Sequence, residues 1–194
     1  MVYYGPRTAL LVVDVQNDFA DSAGSLYVSG GEVVVARVNV EVAAARAAGA
    51  EIVYTTDWHP PHTPHFAEMG GVWPVHCVRH SWGAEFHPDL VVDGDVIRKG
   101  TGGEDGYSAF TLRDPQSGEQ RSTGLSSLLR ARDVHAVMLV GIAGDYCVYD
   151  SALDARAAGF EVVVLRAATA SVNLQPGDEQ AAFAAMEAAG VEVR

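Results

Sequence analysis

Arg46–Asp57 reads RAAGAEIVYTTD, Arg156–Thr169 reads RAAGFEVVVLRAAT, and Glu187–Arg194 reads EAAGVEVR. The three stretches share one local grammar: a helix-forming segment, Ala-Ala-Gly, then a β-branched run. The glycine in each (Gly49, Gly159, Gly190) suits the left-handed residue that closes a helix. The residues after it, Ile52-Val53-Tyr54, Val162-Val163-Val164 or Val191, have strand composition. No solenoid-like period separates them, so they read as αβ units rather than repeats. Ala9–Val13 and Ala136–Val140 are continuous apolar runs, which suit strands covered on both faces, as in a parallel sheet. Helices are expected at about Glu32–Ala48, Leu125–Arg132, Cys147–Ala158 and Asp178–Ala189. Strands alternating with helices imply right-handed crossovers. The expected fold is a three-layer α/β/α sandwich with a mostly parallel central sheet, one domain spanning residues 1–194.

Composition narrows the function classes. The chain has 194 residues, 48% of them hydrophobic and 20% charged, a globular balance. Thirteen basic against 25 acidic side chains leave a formal charge of −12. That excess argues against nucleic acid or an anionic membrane as the main partner. No apolar run approaches the ~20 residues of a membrane span, and the N-terminus lacks the pattern of a secretory signal. Two cysteines, Cys77 and Cys147, are too few for a disulfide framework, so free thiols in the cytoplasm are expected. The Glu32–Ala48 stretch could support a homo-oligomeric contact, although its apolar spacing equally fits packing on the sheet.

Two segments break the alternation. Gly100–Gly124 reads as a polar, Gly-rich loop. Asp57–Asp89 is rich in Pro, His and Trp, and it holds six of the seven histidines: His59, His62, His65, His76, His80 and His87. Long aperiodic loops in compact domains are often functional, and His-rich tracts suggest metal. Asp57 and His59 follow the strand ending Tyr54-Thr55-Thr56, and i, i+2 residues of an extended chain point the same way. Both would leave the carboxyl end of a strand, where open α/β sheets bind ligands. His65 and His76 could close the site. One oxygen and three nitrogen donors suit Zn, Fe(II) or Mn(II) alike. The plainer alternative is loop surface or hydrogen-bonded packing. His62 and His80 fit a supporting or solvated position, and His135, at a strand entrance, a structural one.

Cys147 lies in VGIAGDYCVYDSALDARAAG, where an apolar strand turns through glycines into a helix. A thiol at a helix N-terminus feels the positive end of the dipole, which favours thiolate, and such a thiolate would alkylate quickly near neutral pH. The unpaired backbone N–H groups of the turn could hold an oxyanion. A small buried hydrophobe is the other reading, and for Cys77 the better one. Asp14 ends the run Leu11-Val12-Val13-Asp14, and Lys99 follows Val96-Ile97-Arg98. In isolation they read as a cap and a solvated amine. Together with Cys147 they make an acid, an amine and a thiol at one sheet edge, a plausible hydrolytic set.

The order Asp14 in VVDVQNDF, Lys99 in VIRKG and Cys147 in GIAGDYCV resembles the isochorismatase-like cysteine hydrolases. DWHP at Asp57–Pro60, HF at His65–Phe66 and WPVHCV at Trp73–Val78 resemble the nicotinamidase (pyrazinamidase) branch. The resemblance spans about Ala9–Ala170. It implies that Asp14 takes the thiol proton and later protonates departing ammonia, and that Lys99 holds Asp14 and the sulfur. Cys147 would attack a carboxamide carbon and pass through a thioester. Backbone N–H groups of Ala143 and Cys147 would hold the oxyanion, after a cis Ile142–Ala143 peptide. Asp57, His59, His65 and His76 would hold one divalent metal ion, and Phe19, Trp73 and Tyr107 would sandwich a flat ring. Many relatives carry a histidine where this chain has Thr63; others carry it at the position of His65. The TGGEDG stretch lengthens the path from Lys99 to Tyr107. A small-molecule carboxamide, nicotinamide or pyrazinamide, is the implied substrate. A carbamoyl or ureido substrate, and a non-catalytic metal-binding module, are the alternatives.

Overall fold

The computed structural model describes residues 3–194. Six parallel strands form one sheet in the order β3-β2-β1-β6-β7-β8. They are β1 (Thr8–Val13), β2 (Glu51–Asp57), β3 (Asp95–Lys99), β6 (Ala136–Ile142), β7 (Glu161–Ala170) and β8 (Glu192–Val193). β1 and β6, the two continuous apolar runs, lie side by side at the centre with every residue buried.

Alternate residues of these strands feed two cores. Leu10, Val12, Met138 and Val140 pack under Val34, Val35, Val38 and Val42 of helix α2 (Gly31–Ala47). Leu11, Val13, Val137 and Leu139 face the other way, onto three helices. Those helices are α3 (Leu125–Ala131), α4 (Cys147–Ala157) and α5 (Asp178–Ala188). The side-chain period of two along a strand thus accounts for the three layers. Gly49, Gly159 and Gly190 have φ of 73°, 88° and 84°, the left-handed helix ends expected of them.

The chain winds outward in both directions from β1 and β6. β2 and β3 are added on one side of β1, and β7 and β8 on the far side of β6. The strand order therefore reverses between β1 and β6, and a crevice opens at their carboxyl ends, where α/β sheets bind ligands. The short helix α1 (Asn17–Ala20) begins there. Within Gly100–Gly124 the structure differs from the expected loop. Residues Thr111–Arg113 (β4) and Gln120–Ser122 (β5) pair as an antiparallel hairpin. No helix of the described residues is long and apolar enough to cross a membrane.

Candidate active site

β1, β2 and β3 each deliver one side chain to the crevice at or just past their carboxyl ends. Asp14 is the first residue past β1 and sits at φ 49°, a left-handed conformation uncommon for non-glycine residues. Its N–H faces Thr55, whose hydroxyl donates to Asp14 Oδ1 at 2.6 Å. Lys99 ends β3 and Asp57 ends β2, directly paired in register. The Lys99 ammonium lies 2.7 Å from Asp14 Oδ2 and 2.9 Å from Asp57 Oδ1, with all three side chains buried. It also donates to the carbonyls of Gly106 and Tyr107. A dry ammonium between two carboxylates holds the amine and one acid charged. Burial alone would lower the Lys99 pKa, but Asp14 and Asp57 outweigh it and hold it well above the usual range. Burial would raise Asp57, yet Lys99 and then the neighbouring histidines hold it well below the carboxylate range. Asp14 goes the other way: burial, only partly offset by Lys99, pushes it up to about 6.

Cys147 opens α4 at the same place. Carboxylate oxygens of Asp14 and Asp57 and the Cys147 sulfur all lie within 4.8 Å of one another. The peptide Ile142–Ala143 just before this turn is cis. The N–H groups of Ala143 and Cys147 donate to no partner among the described residues, and both residues line the cleft, so two unpaired donors are available there. The thiol differs from the sequence expectation of a resting thiolate. Burial pushes its pKa well above the usual value, against the pull of Lys99, and Asp14 adds to the rise. The helix terminus does not overcome desolvation at a site this enclosed. Cys147 therefore rests as the thiol, with a carboxylate beside it to take the proton. Cys77 is buried and does not line the cleft, with its N–H on Asp18 Oδ2 at 2.7 Å.

The second half of the site is the histidine cluster. Gln16 clips Asp57 in place: its Oε1 accepts from the Asp57 N–H and its Nε2 donates to the Asp57 carbonyl, both at 2.8 Å. His59 is pinned by backbone bonds to Cys77 and Arg79. His59, His65 and His76 present ligand atoms within 4.8 Å of one another, with ring centroids 4.7 to 5.4 Å apart. Asp57 Oδ2 lies 3.7 Å from His59 Nε2 and 3.8 Å from His76 Nε2. His76 Nδ1 contacts the Pro74 carbonyl at 2.7 Å, leaving Nε2 free, and burial pushes its pKa down to about 4, so it is neutral at pH 7. Both ring nitrogens of His59 are buried without a hydrogen-bond partner among the described residues. Orphaned imidazole nitrogens beside a carboxylate fit a divalent metal ion. Thr63 does not join them; its hydroxyl donates to the Gly103 carbonyl. His62 and His80 are exposed, and His135 sits in a surface cluster with Arg7 and Asp133.

The two halves share a cleft lined by Cys147, Asp57, His65 and His76 and walled by aromatic rings. Phe19 lies 5.5 Å from His76 between ring centroids, and the Trp73 indole donates to the Tyr107 hydroxyl at 2.7 Å. Asp14, Lys99, Cys147, Asp57, His59, His65, His76, Phe19, Trp73 and Tyr107 thus lie together at one crevice, while His62, His80 and His135 do not join them. Tyr146, edge-on to Trp73 at 4.9 Å, also lines it, a residue the sequence reading does not single out. Its place directly before Cys147 at the mouth of α4 is the signal that could find it.

Residues 8–194 match the family model of the isochorismatase domain. The nicotinamidase of Escherichia coli (strain K12) is 36% identical, over 95% of this chain and 93% of that protein. Among solved structures, PnC1 of L. infantum in complex with nicotinate superposes with a TM-score of 0.90 at 37% identity, covering 100% of this chain and 95% of that one. The pyrazinamidase of Pyrococcus horikoshii in complex with zinc superposes at 0.84 and 38% identity, covering 97% and 99%.

Proposed function

Because the chain belongs to the isochorismatase family, we propose that it hydrolyses nicotinamide, and pyrazinamide with it, to the free acid and ammonia. The observation that carries this reading is that Cys147, Asp14 and Lys99 converge on the same cleft as Asp57, His65 and His76. The similar E. coli protein is a nicotinamidase, the L. infantum protein binds nicotinate, and the P. horikoshii protein is a pyrazinamidase that binds zinc, which supports this reading.

Asp14 takes the proton of the Cys147 thiol as the sulfur attacks the carboxamide carbon. The C=O electrons move to oxygen, and that oxyanion accepts from the Ala143 and Cys147 N–H groups. Collapse breaks the C–N bond, Asp14 returns its proton to the leaving nitrogen, and ammonia departs from a thioester. Water then gives a proton to Asp14 and adds to the thioester carbon. The C–S bond breaks, the sulfur regains its proton, and nicotinate leaves. Lys99, tied to both Asp14 and Asp57, keeps the base aimed and offsets the charge that builds beside it. Phe19, Trp73 and Tyr107 hold the ring by its faces and edges.

Asp57, His59, His65 and His76 would hold a divalent metal, which when bound supplies a Lewis-acidic point for a ring nitrogen or water. Zinc, iron(II) and manganese(II) all suit this donor set. Two unpaired thiols suit the cytoplasm, and release of nicotinate suits salvage of the pyridine ring for NAD. The test is ammonia release from nicotinamide, pyrazinamide and a ureido compound by wild type and Cys147→Ala. Turnover of the two ring amides that vanishes in the variant is expected. Preference for the ureido compound, or undiminished turnover in Cys147→Ala, would refute the reading.

A further inference from the structure

The Gly-rich stretch between Lys99 and Tyr107 carries one acidic side chain whose position has a chemical consequence. Asp105 Oδ1 lies 2.8 Å from His65 Nδ1, and the His65 ring is 4% exposed. Asp105 is not a free loop residue. Its N–H donates to the Arg113 carbonyl at 2.7 Å and its carbonyl accepts from the Arg113 N–H, so the β4–β5 hairpin fixes its backbone on both sides. The next two carbonyls, of Gly106 and Tyr107, accept from the Lys99 ammonium. The same short segment is therefore fastened to the catalytic amine at one point and to the histidine cluster at the next.

We infer that Asp105 is the positioning residue of the metal site, holding His65 with its proton on Nδ1 and its Nε2 lone pair turned toward the other donors. A carboxylate behind a ligating imidazole fixes the tautomer and ring orientation and raises its basicity, commonly worth 10- to 100-fold in metal affinity. The three histidines differ in this respect. His76 leans on a neutral carbonyl, the His59 ring has no hydrogen-bond partner among the described residues, and only His65 is backed by a carboxylate from outside the donor set. The backbone of His65 is held locally, its N–H facing the Thr63 hydroxyl at 3.3 Å, so the ring depends on a partner brought from elsewhere in the chain. The hairpin brings that carboxylate to it.

The inference rests on the metal reading proposed for this cleft, and the experiment separates the two. Zinc-loaded protein is titrated with a chromogenic chelator, and the zinc affinity is read for wild type, Asp105→Ala, Asp105→Asn, His65→Ala and the His65→Ala/Asp105→Ala pair, with folding checked by circular dichroism. Asp105→Ala should bind zinc 10- to 100-fold more weakly, and Asp105→Asn, which keeps an acceptor oxygen, should fall between it and wild type. In the His65→Ala background the loss from Asp105→Ala should disappear, which a merely structural role would not produce. Affinity of Asp105→Ala within twofold of wild type, or an equal loss in both backgrounds, would overturn the inference while leaving the metal site standing. Wild type that holds no zinc would overturn the metal reading and the inference together.

Discussion

Replacing Lys99 by methionine removes one charge from a site that holds three. The ammonium lies 2.7 Å and 2.9 Å from two carboxylates that are themselves buried. At an effective dielectric near ~20, each pair carries about 6 kcal/mol of raw attraction, much of it offset by the desolvation of the ions. Truncation leaves the carboxylates buried and uncompensated, which costs about 3–5 kcal/mol when one partner of such a pair is removed. For a chain of this length about 2–4 °C of melting temperature is lost per kcal/mol, so Lys99→Met should melt roughly 6–20 °C lower at pH 7. The loss depends on pH with a definite sign. Asp14 stands at about 6 with Lys99 present, and Lys99 is what lowers it and Asp57. Without the amine the folded-state pKa of Asp14 rises further above the unfolded carboxylate value, and that of Asp57 rises from its depressed position. Protonation of Asp14 then favours the folded form, a stability present at low pH and lost as pH rises through its raised pKa. The gap between variant and wild type should therefore widen from pH 5 to pH 8. Calorimetric melting across that range reads it directly. A variant within about 1 kcal/mol of wild type at pH 7, with no pH trend in the difference, would show that Lys99 does not carry the charge balance of the site.

Other consequences are equally open to measurement. Asp14 must be ionised to take the thiol proton, so kcat/KM for ammonia release should fall below about pH 6, about tenfold per further unit of acid, and Asp14→Asn should be close to inactive at every pH. A flat profile down to pH 5 would remove Asp14 as the base. Thorough chelation should weaken turnover and added zinc should restore it; full activity in metal-free protein would contradict a metal that orients the substrate. Gly100 has φ 66°, and a Cβ there would lie 2.4 Å from His59 Cε1. Gly100→Ala should therefore cost at least ~1 kcal/mol in denaturant melts and weaken metal retention, since backbone strain and the ring clash add. Unchanged stability and zinc retention would show that His59 is less tightly held than its surroundings imply.

How much of this is legible in the chain itself is set by what each feature depends on. The central strands can be read because burial on both faces demands unbroken apolar runs, as in Leu10–Val13 and Val137–Val140. Asp14, Asp57 and Lys99 can be placed because each lies at the end of a strand. The β4–β5 hairpin cannot, because its strands are three residues each, and β5, Gln-Arg-Ser, is wholly exposed and shows no alternation. Asp105 is silent for the same reason, since its importance comes from Arg113 and His65, distant in the chain. The resting thiol of Cys147 departs from the expected thiolate because the helix terminus is visible in sequence while the depth of burial is not. Gln16 clips both backbone groups of Asp57 across 41 residues, a contact no local pattern announces.

The proposed reaction stands or falls with a covalent bond from the Cys147 sulfur to the substrate carbonyl carbon. Wild-type protein mixed with excess nicotinamide, quenched in acid during turnover and weighed intact, should carry one nicotinoyl group, with peptide mapping placing it on Cys147. Ammonia release from protein that never carries that group on residue 147, at quench times short enough to catch a thioester, would contradict the account.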